Sequence, residues 1–198
     1  MPKLSIAVPV YDMPNGDFFL ERLLHSLKRQ TFKDFEVVIT RDGKMAENTN
    51  SAIRKSKGEL IKILYQDDYL AHENSLQEIV DNFEWGWLVT GCGHFDGENF
   101  LNDHLPVYNS NIHLVNTIGS PSVLTIENND PLLFDETMTW MLDGDYYRRL
   151  FERYGEPTIL DDINVVIGIG PHQATNTMGN EVKEREKDYM AQKYDSNK

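Results

Sequence analysis

Residues 4–12 read LSIAVPVYD, an almost uninterrupted apolar run that ends in a proline, a valine, a tyrosine and an aspartate. Such a run predicts a strand buried on both faces, and a proline is tolerated where the strand leaves the sheet. Three more segments predict strands for the same reason: residues 35–40 (FEVVIT), 60–65 (LIKILY) and 85–90 (WGWLVT).

Between these strands, apolar residues recur at helical spacing. Such repeats predict amphipathic helices, and a further helix is expected from about residue 46 to Gly58. Strands that alternate with helices on short loops predict an α/β domain with a mostly parallel sheet flanked by helices. The repeating residues are Leu20, Leu23, Leu24 and Leu27 in the first helix and Leu76, Ile79, Val80 and Phe83 in another.

The alternation stops after about residue 93. Residues 94–121 are polar and irregular and predict loops that cover a site. A short strand at 122–126, a helix at about 137–154 and a strand at 165–167 are expected to follow. From residue 180 the chain is rich in Lys and Glu, which predicts a solvated helix or tail.

Composition narrows the classes of partner. The chain has 198 residues and a net charge of −13, so nucleic acid and anionic membrane surfaces are poor partners. The sequence contains no run of about 18 apolar residues, so no transmembrane helix is predicted. A single cysteine, Cys92, forms no intramolecular disulfide, and we expect a cytoplasmic protein.

Carboxylates follow three of the predicted strands. Asp12 comes after the first strand, Asp42 after the second, and Asp67 and Asp68 after the third. Ligand sites of open parallel sheets lie beyond the carboxyl ends of the strands. Adjacent carboxylates raise each other's pKa unless a hard cation such as Mg²⁺ sits between them. Spacing alone leaves two readings open, a cation site at Asp67 and Asp68 or a cap for the next helix.

Six segments, in this order, resemble the motifs of family-2 glycosyltransferases of the GT-A fold. The third is similar to the segment that carries the metal-binding Asp-x-Asp of that family, and the fifth to the helix that carries its catalytic base. The segments are residues 4–11 (LSIAVPVY), 35–43 (FEVVITRDG), 58–68 (GELIKILYQDD), 119–124 (GSPSVL), 134–150 (FDE, then DGDYYRRL from 143) and 171–173 (PHQ).

The resemblance implies a hexosyltransferase. It would transfer a sugar with inversion from a nucleotide-diphosphate donor, most often a UDP-sugar, to an acceptor hydroxyl. The acceptor could be a glycan, a lipid-linked sugar or another hydroxyl, and the cofactor would be Mn²⁺ or Mg²⁺. One domain, 1–180, would divide into a nucleotide-sugar-binding half (1–93) and an acceptor and catalytic half (94–180), followed by a solvated tail (181–198).

The resemblance also implies roles for single residues. Asp68 would bind the metal, with Asp67 beside it at the ribose or the metal and His172 as a third metal or diphosphate contact. Asp143 would be the general base, and Asp145 is the alternative one half-turn along the helix. The nucleobase pocket would consist of Pro9, Val10, Tyr11 and Asp42.

Three positions depart from the family pattern. Tyr65 stands where the first aspartate of Asp-x-Asp is expected, Arg41 replaces the first of two aspartates, and Leu142 replaces a glutamate before the base. A non-catalytic protein that keeps the fold and binds a sugar nucleotide or a partner is therefore the alternative. A nucleotidyltransferase fits less well, because no basic residue lies in Tyr11–Pro14 after the first strand.

Overall fold

A computed structural model describes residues 1–195 of the protein, and within them eight strands form one sheet. Apolar side chains of the first and third strands, among them Leu4, Ile6 and Ile61, are fully buried. The strands are β1 (Leu4–Pro9), β2 (Phe35–Thr40), β3 (Leu60–Ile63), β4 (Tyr69–Leu70), β5 (Trp87–Phe95), β6 (Phe100–His104), β7 (Leu124–Glu127) and β8 (Thr158–Gly168).

Helices connect and flank the strands. α1 and α2 each bury an apolar face, which includes Leu23 and Leu27 in the first and Ala52 and Ile53 in the second. A short 3-10 helix, Pro121–Val123, leads into β7. The α-helices are α1 (Gly16–Lys28), α2 (Met45–Lys55), α3 (Ser75–Asn82), α4 (Leu142–Tyr154), α5 (Ala174–Thr177) and α6 (Asn180–Asp195).

The sheet has the order β2-β1-β3-β7-β5-β8-β4, and β6 pairs with β5. The longer ladders are parallel: β1 with β2, β1 with β3, and β5 with β8. β7 runs antiparallel to both of its neighbours, so β1, β2, β3, β5 and β8 all point the same way. The predicted α/β class with a mostly parallel sheet is confirmed, and the carboxyl ends of β1, β3 and β8 meet at one edge.

The elements differ from the prediction mainly beyond residue 93. β6 lies inside a segment expected to be loops, and β8 begins at Thr158, seven residues before the expected strand. Both contain several charged or amide residues, which hide a strand from an apolar pattern. The predicted helix over 137–154 is shorter, because α4 begins only at Leu142.

Residues 180–195, where we expect a solvated helix or tail, form a helix with one face packed on the domain, and residues 196–198 of that expected tail lie outside the described residues. Met190 is fully buried and Glu186 is 2% exposed, whereas Tyr189 and Lys187 face solvent. Glu186 and Met190 are four residues apart and therefore lie on the same face of α6. Within the described residues, no helix is long and apolar enough to cross a membrane.

Candidate active site

A cleft of about 350 Å³ opens at the carboxyl ends of β1, β3 and β8. Each of the three strands contributes the residues that follow it: Tyr11, then Asp67 and Asp68, then His172. The opposite wall comes from the segment before α4 and from its first turn, including Trp140 and Asp143. The structure thus brings together five of the residues singled out from the sequence, namely Tyr11, Asp67, Asp68, Asp143 and His172.

Asp68 lines the cleft but is only 2% exposed. Its Oδ1 accepts a hydrogen bond of 2.8 Å from the amide of Gly168, at the end of β8, and its Oδ2 lies 3.5 Å from the hydroxyl of Ser120. Burial, and then the negative charge of Asp67, raise the pKa of Asp68 well above its ordinary value. One carboxylate oxygen is therefore held by backbone, and the other has only a long contact.

Asp67 pairs with His172. Its Oδ2 lies 2.9 Å from Nε2 of the imidazole, and both side chains are mostly buried. The carbonyl of Asp67 accepts a 2.6 Å hydrogen bond from Arg22 of α1, whose guanidinium stacks on Tyr69. These contacts fix the turn after β3 on two sides, so the carboxylate of Asp67 is held at the cleft.

Asp143 is the second residue of α4 and is partly buried in the cleft wall. Among the described residues, no hydrogen bond or ion pair reaches its carboxylate, and burial raises its pKa to about 7. Its negative charge in turn helps to raise the pKa of the Tyr65 and Tyr147 phenols. A carboxylate of this kind can accept a proton near neutral pH, as a general base must.

Tyr65 and Tyr11 line the same cleft as the three aspartates. The amide of Tyr65 donates to the Ser122 hydroxyl at 2.8 Å, and burial raises the pKa of the Tyr65 phenol well above its ordinary value. Tyr11 donates its hydroxyl to the Met45 carbonyl at 3.0 Å. Both phenols therefore stay neutral, and Tyr65 puts a hydroxyl where the family pattern has a carboxylate.

Four other residues singled out from the sequence do not line the cleft. Pro9 and Val10 are buried in the sheet and just after it. Asp42 is exposed, and its Oδ2 accepts from Ser51 at 2.5 Å and from Lys55 at 2.8 Å. Asp145 is fully buried. Its carboxylate binds Arg149, Lys193 and Tyr194 at 2.7–2.8 Å, which turns it away from the cleft and towards α6.

Two residues that support the cleft have no signal in the sequence pattern. Lys62 of β3 is fully buried, and its ammonium donates to the carbonyls of Ser122 and Leu124, next to the cleft residue Ser120. Burial lowers the pKa of Lys62 to about 7. Glu186 of α6 binds the backbone just before α4. Neither a lysine inside an apolar strand nor a glutamate inside a Lys/Glu-rich helix predicts a role at the site from sequence alone.

A scan against protein-family models finds no match. In sequence, the chain is 25% identical over 134 residues to EpsJ of Bacillus subtilis, which is described as an uncharacterized glycosyltransferase. The match covers 54% of this chain and 38% of EpsJ, so the chain spans less than half of that relative's length.

Solved structures match over nearly the whole chain. TarS of S. aureus in complex with UDP-GlcNAc superposes with a TM-score of 0.68 at 15% identity, covering 96% of this chain and 70% of the TarS chain. TarS in complex with UDP gives 0.64 at 16% identity, over 98% and 72%. This chain has the GT-A glycosyltransferase fold. The mannosyltransferase PcManGT of Pyrobaculum calidifontis, in complex with GDP-Man and Mn²⁺, gives 0.58 at 14% identity, over 86% and 58%.

The GT-A cleft of this chain offers few protein ligands for a metal. Within residues 1–195, no three His, Cys, Asp or Glu side chains converge on one point. Asp67, His172 and the free oxygen of Asp68 fit a different arrangement, in which Mg²⁺ or Mn²⁺ is bound by one or two carboxylates and by substrate phosphates. The raised pKa of Asp68 supports this fit, because a cation would relieve the repulsion between the two aspartates.

A second cavity of about 250 Å³ adjoins the GT-A cleft. The two share four lining residues, including Trp140 and Asp143, and the second is otherwise lined by residues 112–114, Met141 and Gly144. Asp143 therefore lies at the junction of the cleft and the second cavity, whereas Asp67 and Asp68 line only the cleft.

Proposed function

We propose that this protein transfers a sugar from a nucleotide-diphosphate donor to an acceptor hydroxyl by an inverting single displacement, with Asp143 as the general base. The observation that carries the proposal is the state of Asp143: a carboxylate without a hydrogen-bond partner in the described chain, with a pKa of about 7, at the junction of two cavities. The GT-A fold and the likeness to EpsJ support the same reaction class.

In this proposal the donor occupies the larger cleft. Its diphosphate lies at Asp67, Asp68 and His172, where a bound Mn²⁺ or Mg²⁺ would stabilise the charge that develops on the leaving nucleotide. Tyr11 walls the nucleotide, and the hydroxyl of Tyr65 takes the place of a carboxylate near the sugar. Both UDP-sugars and GDP-sugars are reasonable donors, since the neighbours named above are in complex with UDP, UDP-GlcNAc and GDP-Man.

The acceptor enters through the smaller cavity. Its hydroxyl reaches Asp143, which removes the proton as the oxygen attacks the anomeric carbon from the side opposite the diphosphate. General-base catalysis of this kind contributes roughly 10²–10⁴-fold. In this scheme the indole of Trp140, which lines both cavities, provides an apolar contact for the acceptor. Asp145 has no part in this scheme, because Arg149, Lys193 and Tyr194 already bind its carboxylate.

The direct test is donor turnover. The full chain is incubated with a panel of acceptor sugars and with UDP-Glc, UDP-GlcNAc, UDP-Gal or GDP-Man, each with Mn²⁺, with Mg²⁺ and with EDTA, and release of the nucleotide is measured. We expect one donor to be consumed, to raise the melting temperature, and to lose both effects in EDTA. Asp143→Asn should bind that donor and not turn it over, and Asp42→Asn, an equally conservative change outside the cleft, should behave as wild type.

Two results would contradict the proposal. Full turnover by Asp143→Asn would remove Asp143 as the base. Binding of a donor without any turnover by the wild-type chain, with every acceptor sugar tried, would support the alternative of a non-catalytic sugar-nucleotide-binding protein. That alternative draws on Tyr65 at the metal motif and on the backbone contact that occupies Oδ1 of Asp68.

A further inference from the structure

The backbone just before α4 is held by a single side chain from the C-terminal helix. Glu186 of α6 accepts three hydrogen bonds from consecutive amides: Oε1 from Thr139 at 2.8 Å, and Oε2 from Trp140 at 2.8 Å and from Met141 at 2.9 Å. Glu186 is only 2% exposed. A buried carboxylate with three charge-assisted hydrogen bonds is a strong and directional anchor.

These amides belong to the three residues that lead into α4, and the last of them, Met141, is the N-cap residue. Glu186 therefore binds the N-cap residue and the two residues before it, from 45 residues away along the chain. Its carboxylate also places a negative charge near the positive end of the helix. The segment that leads into α4 is thus held by a tertiary contact rather than a local one.

Four further side chains of the same helix contact α4 and its leading segment. Lys193 and Tyr194 bind Asp145 at 2.7 Å, on the first turn of α4. The ammonium groups of Lys183 and Lys187 lie 5.5 and 5.9 Å from the ring centre of Trp140. Asp143 lies between the anchored amides and Asp145, yet no residue of α6 lines the cleft.

We propose that Glu186 is a positioning residue, which fixes residues 139–143 so that Trp140 and Asp143 face the cleft. This inference rests on the proposed function, because it gives α6 a role in the chemistry of Asp143. The donor side of the cleft, at Asp67, Asp68 and His172, makes no contact with Glu186. Loss of the anchor should therefore impair the transfer step and leave donor binding intact.

The test compares Glu186→Gln with Glu181→Gln, the same change at an exposed position of α6. Gln keeps the shape but turns an amide NH₂ towards backbone donors. Glu186→Asp keeps the charge on a shorter side chain, and it serves if the Gln variant does not fold. In Glu186→Gln we expect kcat to fall at least tenfold, the donor KM to stay within twofold, and exchange of the 139–141 amides with solvent to speed up at least tenfold.

The pH dependence of kcat/KM distinguishes a positioning role of Glu186 from a loss of folded protein. If Asp143 is released towards solvent, the burial that raises its pKa is relieved, and the acidic midpoint of kcat/KM should fall by half a pH unit or more. A smaller folded fraction would lower the rate without moving that midpoint. Glu181→Gln should match wild type in every measurement.

The outcomes keep the inference and the proposed function apart. Unchanged exchange at residues 139–141 in both Glu186 variants overturns the inference whether or not the chain is an enzyme. Faster exchange with wild-type kcat and an unmoved pH midpoint also overturns it. An inactive wild-type chain with faster exchange in Glu186→Gln overturns the proposed function while Glu186 remains the anchor of the segment.

Discussion

Oδ2 of Asp67 lies 2.9 Å from Nε2 of His172, across 105 residues of sequence. The contact joins the turn after β3 to the loop after β8, and Phe19 of α1 packs against the imidazole with ring centres 5.1 Å apart. Parallel strands that end at one edge bring these loops together, although β3 and β8 are not neighbours in the sheet. The pair is the part of the cleft best placed to meet a metal-bound diphosphate.

His172→Ala should weaken metal-dependent donor binding. The substitution removes either a ligand or the partner that orients Asp67, and the loss of either typically lowers metal affinity or activity 10–100-fold. The measurement is donor affinity by calorimetry with Mn²⁺ and with EDTA. His25→Ala, which alters an exposed histidine of α1, is the control. Equal donor affinity in His172→Ala and wild type, with Mn²⁺ present, would remove His172 from the site.

The activity of the wild-type chain should rise with pH through about 7. Burial raises the pKa of Asp143 to about 7, and a general base acts only when ionised. A plot of log kcat/KM should climb with unit slope below this midpoint and level off above it. Asp143→Glu keeps a carboxylate and should retain an acidic limb, whereas Asp143→Asn should lose it together with most of the rate. A flat profile between pH 5.5 and 8.5 would contradict the assignment.

The first half of the fold is readable from sequence because its strands are mainly apolar. β1, β2 and β3 lie within the predicted runs, and the carboxylates after β3 meet the cleft as the rule for parallel sheets requires. The sequence did not reveal β4, a strand of two residues whose pairing with β8 alone defines it.

The start of α4 could not be predicted for a physical reason. The sequence predicts a helix from about residue 137, but the carboxylate of Glu186 binds the amides of residues 139–141, which lie outside α4. Asp145 is a similar case, because the family resemblance allows it as the alternative base, whereas Lys193 and Tyr194 bind its carboxylate in the structure. Local patterns carry no information about partners some 45 residues away.

Asp143→Asn should stabilise the protein while it abolishes transfer. The folded-state pKa of about 7 lies above the ordinary value for an aspartate, so the ionised form destabilises the fold. Stability is lost as the pH rises through 7 and is fully present below about 4. We expect Asn to add about 1–3 kcal/mol to the unfolding free energy at pH 8, allowing for partial exposure. The gain should vanish near pH 4, as urea unfolding at both pH values can show.

A gain of equal size at both pH values would assign the effect to packing rather than to charge. Asp145→Asn is the contrasting variant, because its carboxylate is fully buried among Arg149, Lys193 and Tyr194. Removing that charge takes away the carboxylate partner of Arg149 and one of the two carboxylate partners of Lys193, both of them partly buried cations, and this loss is destabilising. The two aspartates, two residues apart on α4, should therefore respond in opposite directions at pH 8.

Gly144→Ala should destabilise the protein although Ala is the better helix former. A Cβ at Gly144 would lie 2.8 Å from the carbonyl oxygen of Ile112 and 3.3 Å from Cα of His113, so backbone has to move. Overpacking of this kind costs about 1–3 kcal/mol, whereas the helix gains about 1 kcal/mol from Ala. The clash should win, with a net loss of up to about 2 kcal/mol in urea unfolding.

Gly179→Ala is the matched control, since a Cβ there meets nothing within 4 Å. Because Gly144 follows Asp143 and faces the second cavity, the shift of α4 away from residues 112–113 should also lower kcat. Donor binding at Asp67 and His172 should not change, since those residues belong to the opposite wall. Stability of Gly144→Ala equal to that of Gly179→Ala would show that α4 is not held against residues 112–113, and the acceptor cavity would then lack the wall on which its proposed role depends.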